Sequence, residues 1–194
     1  SYYIALGEEY WKKIVAVSKE QNITPYMLLL ATYFILLYKY TGQEDIVIGS
    51  PIMNRESPEL EHLFGMFVNN LALRSKINSA LSVRSYLQDM KSLCLDAFKH
   101  QAYPFDELVR NLNLKREAGR NMLFDTMFIY QNNGYPNVSL KNMNASYYIP
   151  NCHISKFDLS LEVIPQDKAY SLRFEYKTDL FTQADIRHLA NHYE

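Results

Sequence analysis

Ile48-Gly49-Ser50-Pro51-Ile52-Met53-Asn54-Arg55, followed by Leu63-Phe64-Gly65-Met66-Phe67-Val68-Asn69-Asn70-Leu71, is the stretch that decides how this chain folds. Asp45 to Ser50 is a short β-branched run and reads as a buried strand. Phe67 to Ile77 alternates well enough for a second strand. The Pro-bearing loop between them mixes charge with Leu63, Phe64, Met66 and Phe67 beside a glycine. A loop that merely connects has no use for those apolar groups, whereas one that covers or floors a cavity does.

Upstream, Glu8 to Gln21 reads as a helix, with Trp11, Ile14, Val15 and Val17 at near-helical spacing. Thr24-Pro25 is a helix restart, a cap followed by Pro at the first helical position. That helix runs to about Tyr40 and is punctuated by Gly42. Downstream, Ser82 caps an amphipathic helix to about His100, with Tyr86, Leu87, Met90, Leu93, Cys94, Ala97 and Phe98 on one side. Pro104 restarts a shorter helix, Phe105 to about Leu112, and Lys115 to Asn121 is a basic loop. Four strands are expected next: Phe124 to Gln131, Leu140 to Ile149, Phe157 to Ile164 and Tyr170 to Tyr176. Asn132-Asn133-Gly134 with Pro136 is the most turn-like segment. Thr182 and Asp185 form a capping pair for a last helix, Gln183 to Tyr193. Helices first, a mixed sheet and late antiparallel strands make an α/β chain.

The chain has 194 residues, 48% of them hydrophobic, enough for one domain or one large lobe with a sizeable core. Twenty Lys and Arg against 21 Asp and Glu leave a net charge of -1, no electrostatic basis for nucleic acid or an anionic membrane as partner. The uncharged run from Ile23 to Tyr38 falls short of the roughly 20 apolar residues of a membrane span and fits a buried helix. Two cysteines, Cys94 and Cys152, make no disulfide framework; Cys94 reads as a core thiol in a reduced compartment, which points to the cytoplasm. No secretory signal is visible. Ser1 in place of Met suggests a piece of a longer protein.

Neither GxSxG, a P-loop, GxGxxG nor CxxC occurs, so nucleophilic, phosphate-cradling and dinucleotide chemistry lose their simplest support. Among the five histidines, His188 and His192 share a helix face one turn after Asp185. The Glu of HExxH is absent and no third ligand is placed, so this reads as a wet helix face and not as a metal site. The 16 tyrosines lack the basic excess of a base-stacking platform and read as amphipathic residues at sheet faces and an interface. His100 stands at a helix C-terminus with no carboxylate beside it and is not assigned as a base. Arg55, ahead of Glu56, Glu59 and Glu61, is either a loop-tethering ion-pair member or a cation facing a cleft, and the same two alternatives hold for Arg116 and Arg120. Arg116, Arg120 and Asn121 precede a buried strand start, where Arg120 and Asn121 suit backbone carbonyls at its mouth. Asn69 and Asn70 interrupt an apolar strand. The inward one needs partners, and either ties the loop down or lines a cavity.

Four segments in order resemble the late motifs of condensation domains of nonribosomal peptide synthetases. Ile48 to Leu71 is similar to IGTPxAGR…LxGxFVNTL, His100-Gln101-Ala102-Tyr103-Pro104-Phe105 to HQDYPF, and Arg116 to Phe124 to RDxSRNPLF. Lys156-Phe157-Asp158-Leu159 with Glu175 to Phe181 resembles the closing strands, and Thr41 to Ile46 also looks like the family. Asn54 stands for the family's Gly, Ala102 and Glu117 for its Asp, and Met122 for its Pro. The family's HHxxxDG motif, whose second His is usually assigned to the reaction, is not in this sequence.

The resemblance implies the C-terminal lobe, residues 1–194, of such a domain. Its fold would be chloramphenicol acetyltransferase-like, a mixed, largely antiparallel sheet flanked by helices. The N-terminal lobe would complete a tunnel that phosphopantetheine arms of donor and acceptor carrier domains enter from opposite faces, next to an adenylation domain. There an acceptor amine attacks a donor thioester and an amide results. On this reading Asn69, Gln101, Arg120 and Asn121 are tunnel-wall or supporting residues and Arg55 an interlobe ion-pair member. The floor loop falls within Pro51 to Met66 and a latch strand within Tyr130 to Pro165. No residue here is catalytic, no metal or directly bound cofactor is expected, and the lone lobe is inactive and exposes a face for self-association. Epimerisation, heterocyclisation or cyclising relatives, a non-catalytic module that recruits a carrier or tailoring protein, and a coenzyme A acyltransferase of the same fold are the alternatives.

Overall fold

A computed structural model describes residues 1–55, 57–115, 119–131, 143, 154–166 and 169–194. In chain order the elements are β1 (Tyr2–Leu6), α1 (Glu8–Glu20), α2 (Pro25–Thr41), β2 (Asp45–Ile52), β3 (Asn69–Lys76), α3 (Val83–Lys99), α4 (Phe105–Asn111), β4 (Thr126–Tyr130), β5 (Leu159–Pro165), β6 (Tyr170–Tyr176) and α5 (Gln183–Tyr193). A 3-10 turn, Pro58–Leu60, interrupts the loop between β2 and β3.

Helix boundaries follow from local chemistry. Thr24 Oγ1 accepts from the Met27 N–H at 3.2 Å, Pro25 sits in the first turn, and Gly42 ends α2 at a φ of 69°. Ser82 caps α3 through the Ser85 N–H at 3.2 Å, and Thr182 with Asp185 closes a capping box on α5.

The strands form one sheet in the order β1-β6-β5-β4-β2-β3. β2 and β4 are parallel, as are β4 and β5; the other three neighbouring pairs are antiparallel. The expected mixed, largely antiparallel α/β sheet is therefore present. One face carries the core. Ile48 lies opposite Leu73, and Phe128, Leu161 and Phe174 stand side by side across β4, β5 and β6, all fully buried. Leu30, Tyr33 and Phe34 of α2 pack in the same cluster, with residues of α1, α3 and α5. Tyr33 Oη lies 2.5 Å from Thr126 Oγ1, and Tyr193 Oη donates to the Leu29 carbonyl at 2.7 Å. The paired hydroxyls let large rings enter the interior.

Strand ends differ from the sequence expectation where an aromatic leaves the ladder to pack. β3 begins at Asn69 because Phe67 turns away beneath Arg55, whose guanidinium lies 4.1 Å from its ring centre. β4 begins at Thr126 because Phe124 lies across Gly49 on the face opposite the main core. There it meets Phe105 at 5.4 Å and Phe157 at 5.7 Å. β1 was not expected at all. Its alternation is short, and pairing with β6 (Tyr2 opposite Phe174) makes it a strand. The expected strand Leu140 to Ile149 lies, Met143 apart, outside the described residues. Among the described residues no single helix is long and apolar enough to cross a membrane, and α1 and α2 turn 98° from one another.

Candidate functional site: a tyrosine-walled cleft beside an apolar loop

Asn69, at the first position of β3, spends its whole amide on one corner. Its Nδ2 donates to the Gln101 carbonyl at 2.8 Å and the Tyr103 carbonyl at 2.7 Å; its Oδ1 accepts from the Phe105 N–H at 3.1 Å. The turn between α3 and α4 exposes backbone groups that no helix satisfies, and Asn offers two donors and an acceptor on one rigid plane. Gln101 takes part through its backbone. These bonds tie β3 to the corner, and not the loop that the sequence suggested.

Arg55 organises the other side. Nη1 donates to the Leu60 carbonyl and Nη2 to the Leu63 carbonyl at 3.0 Å, over the face of Phe67. Among the described residues no carboxylate lies within ion-pair distance, so the tether is made of carbonyl oxygens and a ring. Asn54 beside it has a φ of 51°, a left-handed conformation, and stands where the resembling family has Gly. Asn is a side chain that tolerates this region. Held at its base, the loop turns its apolar groups outward: Phe64 is fully exposed and Met66 is 91% exposed.

Beside the loop opens a cleft of about 670 Å3, bounded by the start of α2, the ends of β2 and β4, and the last turn of α3. Tyr26, Phe98 and Tyr130 form its aromatic wall; Pro51, Met53 and Val68 form the loop side. Tyr26 meets Phe98 and Tyr130 at 6.0 Å each, edge-on to the latter. Its hydroxyl donates to Ser50 Oγ at 3.0 Å. Burial pushes the Tyr26 and Tyr130 phenols well above their ordinary value, so both stay neutral. The rim residue Gln131 donates to Glu162 Oε1 at 2.9 Å, and Glu162 pairs with Arg173 at 2.5 Å on the neighbouring strand.

Asn69, Gln101, Arg120 and Asn121 do not line this cleft. Arg120 pairs with Asp125, and Asn121 Nδ2 points at the Lys156 carbonyl at 3.4 Å, around a separate polar hollow of about 350 Å3. Sequence reading passed over Tyr26, Phe98 and Tyr130. The signal for Tyr26 was its place directly after Thr24-Pro25, at a helix mouth. Of the remaining residues considered, His100 is the C-cap of α3, and His192 Nδ1 lies 2.8 Å from Tyr40 Oη. Among the described residues no group of three metal-ligating side chains converges. Cys94 is fully buried and burial pushes its thiol up to about 12, an inert core group.

The model of the family described as Condensation domain matches residues 1–194. The chain belongs to the condensation domain family. Bacitracin synthase 3 of Bacillus licheniformis is 42% identical over 189 residues, which are 97% of this chain and 3% of that protein. The chain thus spans only a few hundredths of such relatives. Among solved structures, a four-domain nonribosomal peptide synthetase bound to AMP and glycine superposes with a TM-score of 0.88 at 20% identity, covering 97% of this chain and 16% of that one. The condensation domain of the monacolin K polyketide synthase gives 0.87 at 22% identity, covering 99% of this chain and 44% of that one. At these identities the structures share the fold.

Proposed function

We propose that this chain is the C-terminal lobe of a nonribosomal peptide synthetase condensation domain whose complete form makes an amide bond between carrier-tethered aminoacyl or peptidyl groups. The observation that carries the reading is the match of the condensation family along the whole chain. It is supported by relatives such as the bacitracin synthase, by the chain's equivalence to 44% of a solved condensation domain, and by an apolar loop exposed as if awaiting a mate.

In the reaction the acceptor's amine nitrogen attacks the donor's thioester carbon. The C–N bond forms, the C–S bond breaks, and the amine loses a proton as the thiol leaves. No residue of this chain is assigned to that proton. The HHxxxDG motif of the N-terminal lobe supplies the histidine, so this lobe alone is inactive. What it contributes is shape. Asn69 and Gln101 fix the α3–α4 corner, Arg120 and Asn121 fix the mouth of β4, and the tyrosine-walled cleft forms one side of the tunnel. Arg55 has two nitrogens on carbonyl oxygens and, among the described residues, no carboxylate partner, and serves as cation for a carboxylate of the other lobe. Donor and acceptor carrier domains with their phosphopantetheine arms, and an adjacent adenylation domain, are the partners. The buried free thiol of Cys94 suits the cytoplasm.

Joining this chain to an N-terminal lobe that carries HHxxxDG, and supplying loaded donor and acceptor carriers, is expected to yield carrier-bound dipeptide. The lone chain yields none. If the joined domain makes no dipeptide with any carrier pair, amide formation is the wrong reading.

A further inference from the structure

We propose that the cleft of about 670 Å3 receives the side chain of a carrier-tethered amino acid and selects for uncharged, bulky apolar ones. This rests on the amide-forming reading above and names the part of the substrate that the lobe discriminates.

Position comes first. The cleft lies beyond the carboxyl ends of β2 and β4, which run parallel through Gly49 and Met127, and at the N-terminus of α2. In α/β sheets the crevice outside those strand ends is where ligands collect, since the chain departs there in different directions. Here β2 leaves into the apolar loop and α2 starts at the capped Thr24.

Chemistry then limits the occupant. Among the described residues lining the cleft, none is Asp, Glu, Lys, Arg or His. A charged side chain entering it would shed water and find no counter-ion, whereas an aliphatic or aromatic one gains by the same desolvation. Tyr26, whose hydroxyl is spent on Ser50, turns ring surface to the space. Tyr26 also packs on Phe128 at 5.6 Å, which ties the wall to the core and makes the cleft preformed. The volume falls in the range of small-molecule sites, roughly 300–1,000 Å3, and exceeds the need of a single methyl group.

Donor and acceptor groups share this chemistry, and the test separates them. In the complete two-lobed domain, phenylalanine, leucine, glycine, aspartate and lysine are loaded in turn on one carrier while the other holds glycine. The carriers are then exchanged. Phenylalanine and leucine are expected to react at least about tenfold faster than aspartate and lysine from one carrier, which identifies the side served. Val68→Trp, at the exposed rim, and Ile129→Trp, on the strand wall, narrow the space from two directions. Each is expected to lower the phenylalanine-to-glycine rate ratio at least about tenfold. A folding defect cancels in that ratio. As a binding readout, an amide-linked, non-reactive phenylalanyl-pantetheine should shift the Tyr26 and Tyr130 ring resonances of the parent and not of Val68→Trp. Equal rates for phenylalanine and aspartate from both carriers, or a ratio unmoved in both variants, would overturn the assignment. Failure of every carrier pair to give product would instead strike the amide-forming reading, and this one with it.

Discussion

The side-chain amide of Asn69 lies 2.7 Å from the carbonyl oxygen of Tyr103, 34 positions further along the chain, and that contact closes a three-bond clamp between β3 and the α3–α4 corner. Asn69→Leu removes every partner at once and leaves two carbonyls and the Phe105 N–H without them. An expected loss of about 1–3 kcal/mol follows from unsatisfied, partly buried backbone groups. Asn69→Asp keeps the acceptor for Phe105 but sets its second oxygen against the Gln101 and Tyr103 carbonyls, and should be no milder than the Leu variant. Urea denaturation of the three proteins measures the order. In the complete domain the Leu variant should also slow condensation; unchanged turnover would remove the corner from the site.

Gly49 and Phe124 are matched in the opposite sense. A Cβ on Gly49 would sit 2.1 Å from the Phe124 ring, too close for any side chain, and that ring is held between Phe105 and Phe157. Gly49→Ala is expected to destabilise by about 1–3 kcal/mol through overpacking. Phe124→Leu should relieve part of the clash, so the double variant should be less destabilised than the two single effects added together. Simple additivity in thermal melts would show that the contact is not the cause.

Arg55 holds its loop with a planar fork, a geometry that an ammonium does not reproduce. Arg55→Lys should therefore behave nearly as Arg55→Ala. In both, amide hydrogen exchange around Leu60 to Phe67 should speed up while global stability moves little, within about 0.5 kcal/mol as for surface sites. Protection retained in the Lys variant would mean that charge alone holds the loop.

The Glu162–Arg173 pair faces directly across β5 and β6, with Glu162 almost fully buried. Burial, the largest single influence, would lower the Arg173 guanidinium; Glu162, Tyr3 and Glu175 together outweigh it and raise the group. Glu162→Ala strands a half-buried cation and should cost about 3 kcal/mol, whereas Glu162→Leu with Arg173→Leu should be far milder. Chemical denaturation distinguishes the two. Loss of Glu162 also frees Gln131 at the cleft rim.

Alkali should unfold this chain early. Burial raises Cys94 from 9.0 to about 12 and Tyr86 from 10.0 to about 12, and raises Tyr26, Tyr33, Tyr130 and Tyr193 as well. Above the unfolded values the unfolded chain releases protons that the native one keeps. The stability these groups confer is whole below about pH 9 and is lost as pH rises toward 12. Denaturation midpoints should be flat near neutrality and fall steadily above pH 9. A midpoint independent of pH there would contradict the burial of these groups.

Local chemistry written in neighbouring residues determined most of the elements. Thr24-Pro25 with Gly42, Ser82, and Thr182 with Asp185 set helix ends through hydrogen bonds that close within one turn, and periodicity marked the buried sides of α3 and of the central strands. The family was legible because its motifs keep their order along the chain. Tertiary structure alone decided what depends on residues far apart. Tyr2–Leu6 becomes a strand only against β6, and Phe67 and Phe124 leave their strands only because Arg55 and Gly49 wait for them. Asn69 could be read as needing partners, but those partners are backbone carbonyls and an N–H more than thirty residues away. The cleft walled by Tyr26, Phe98 and Tyr130 is assembled from α2, α3 and β4. No periodicity records such a meeting, because a cavity is a property of distances between segments and a sequence fixes only the order along one.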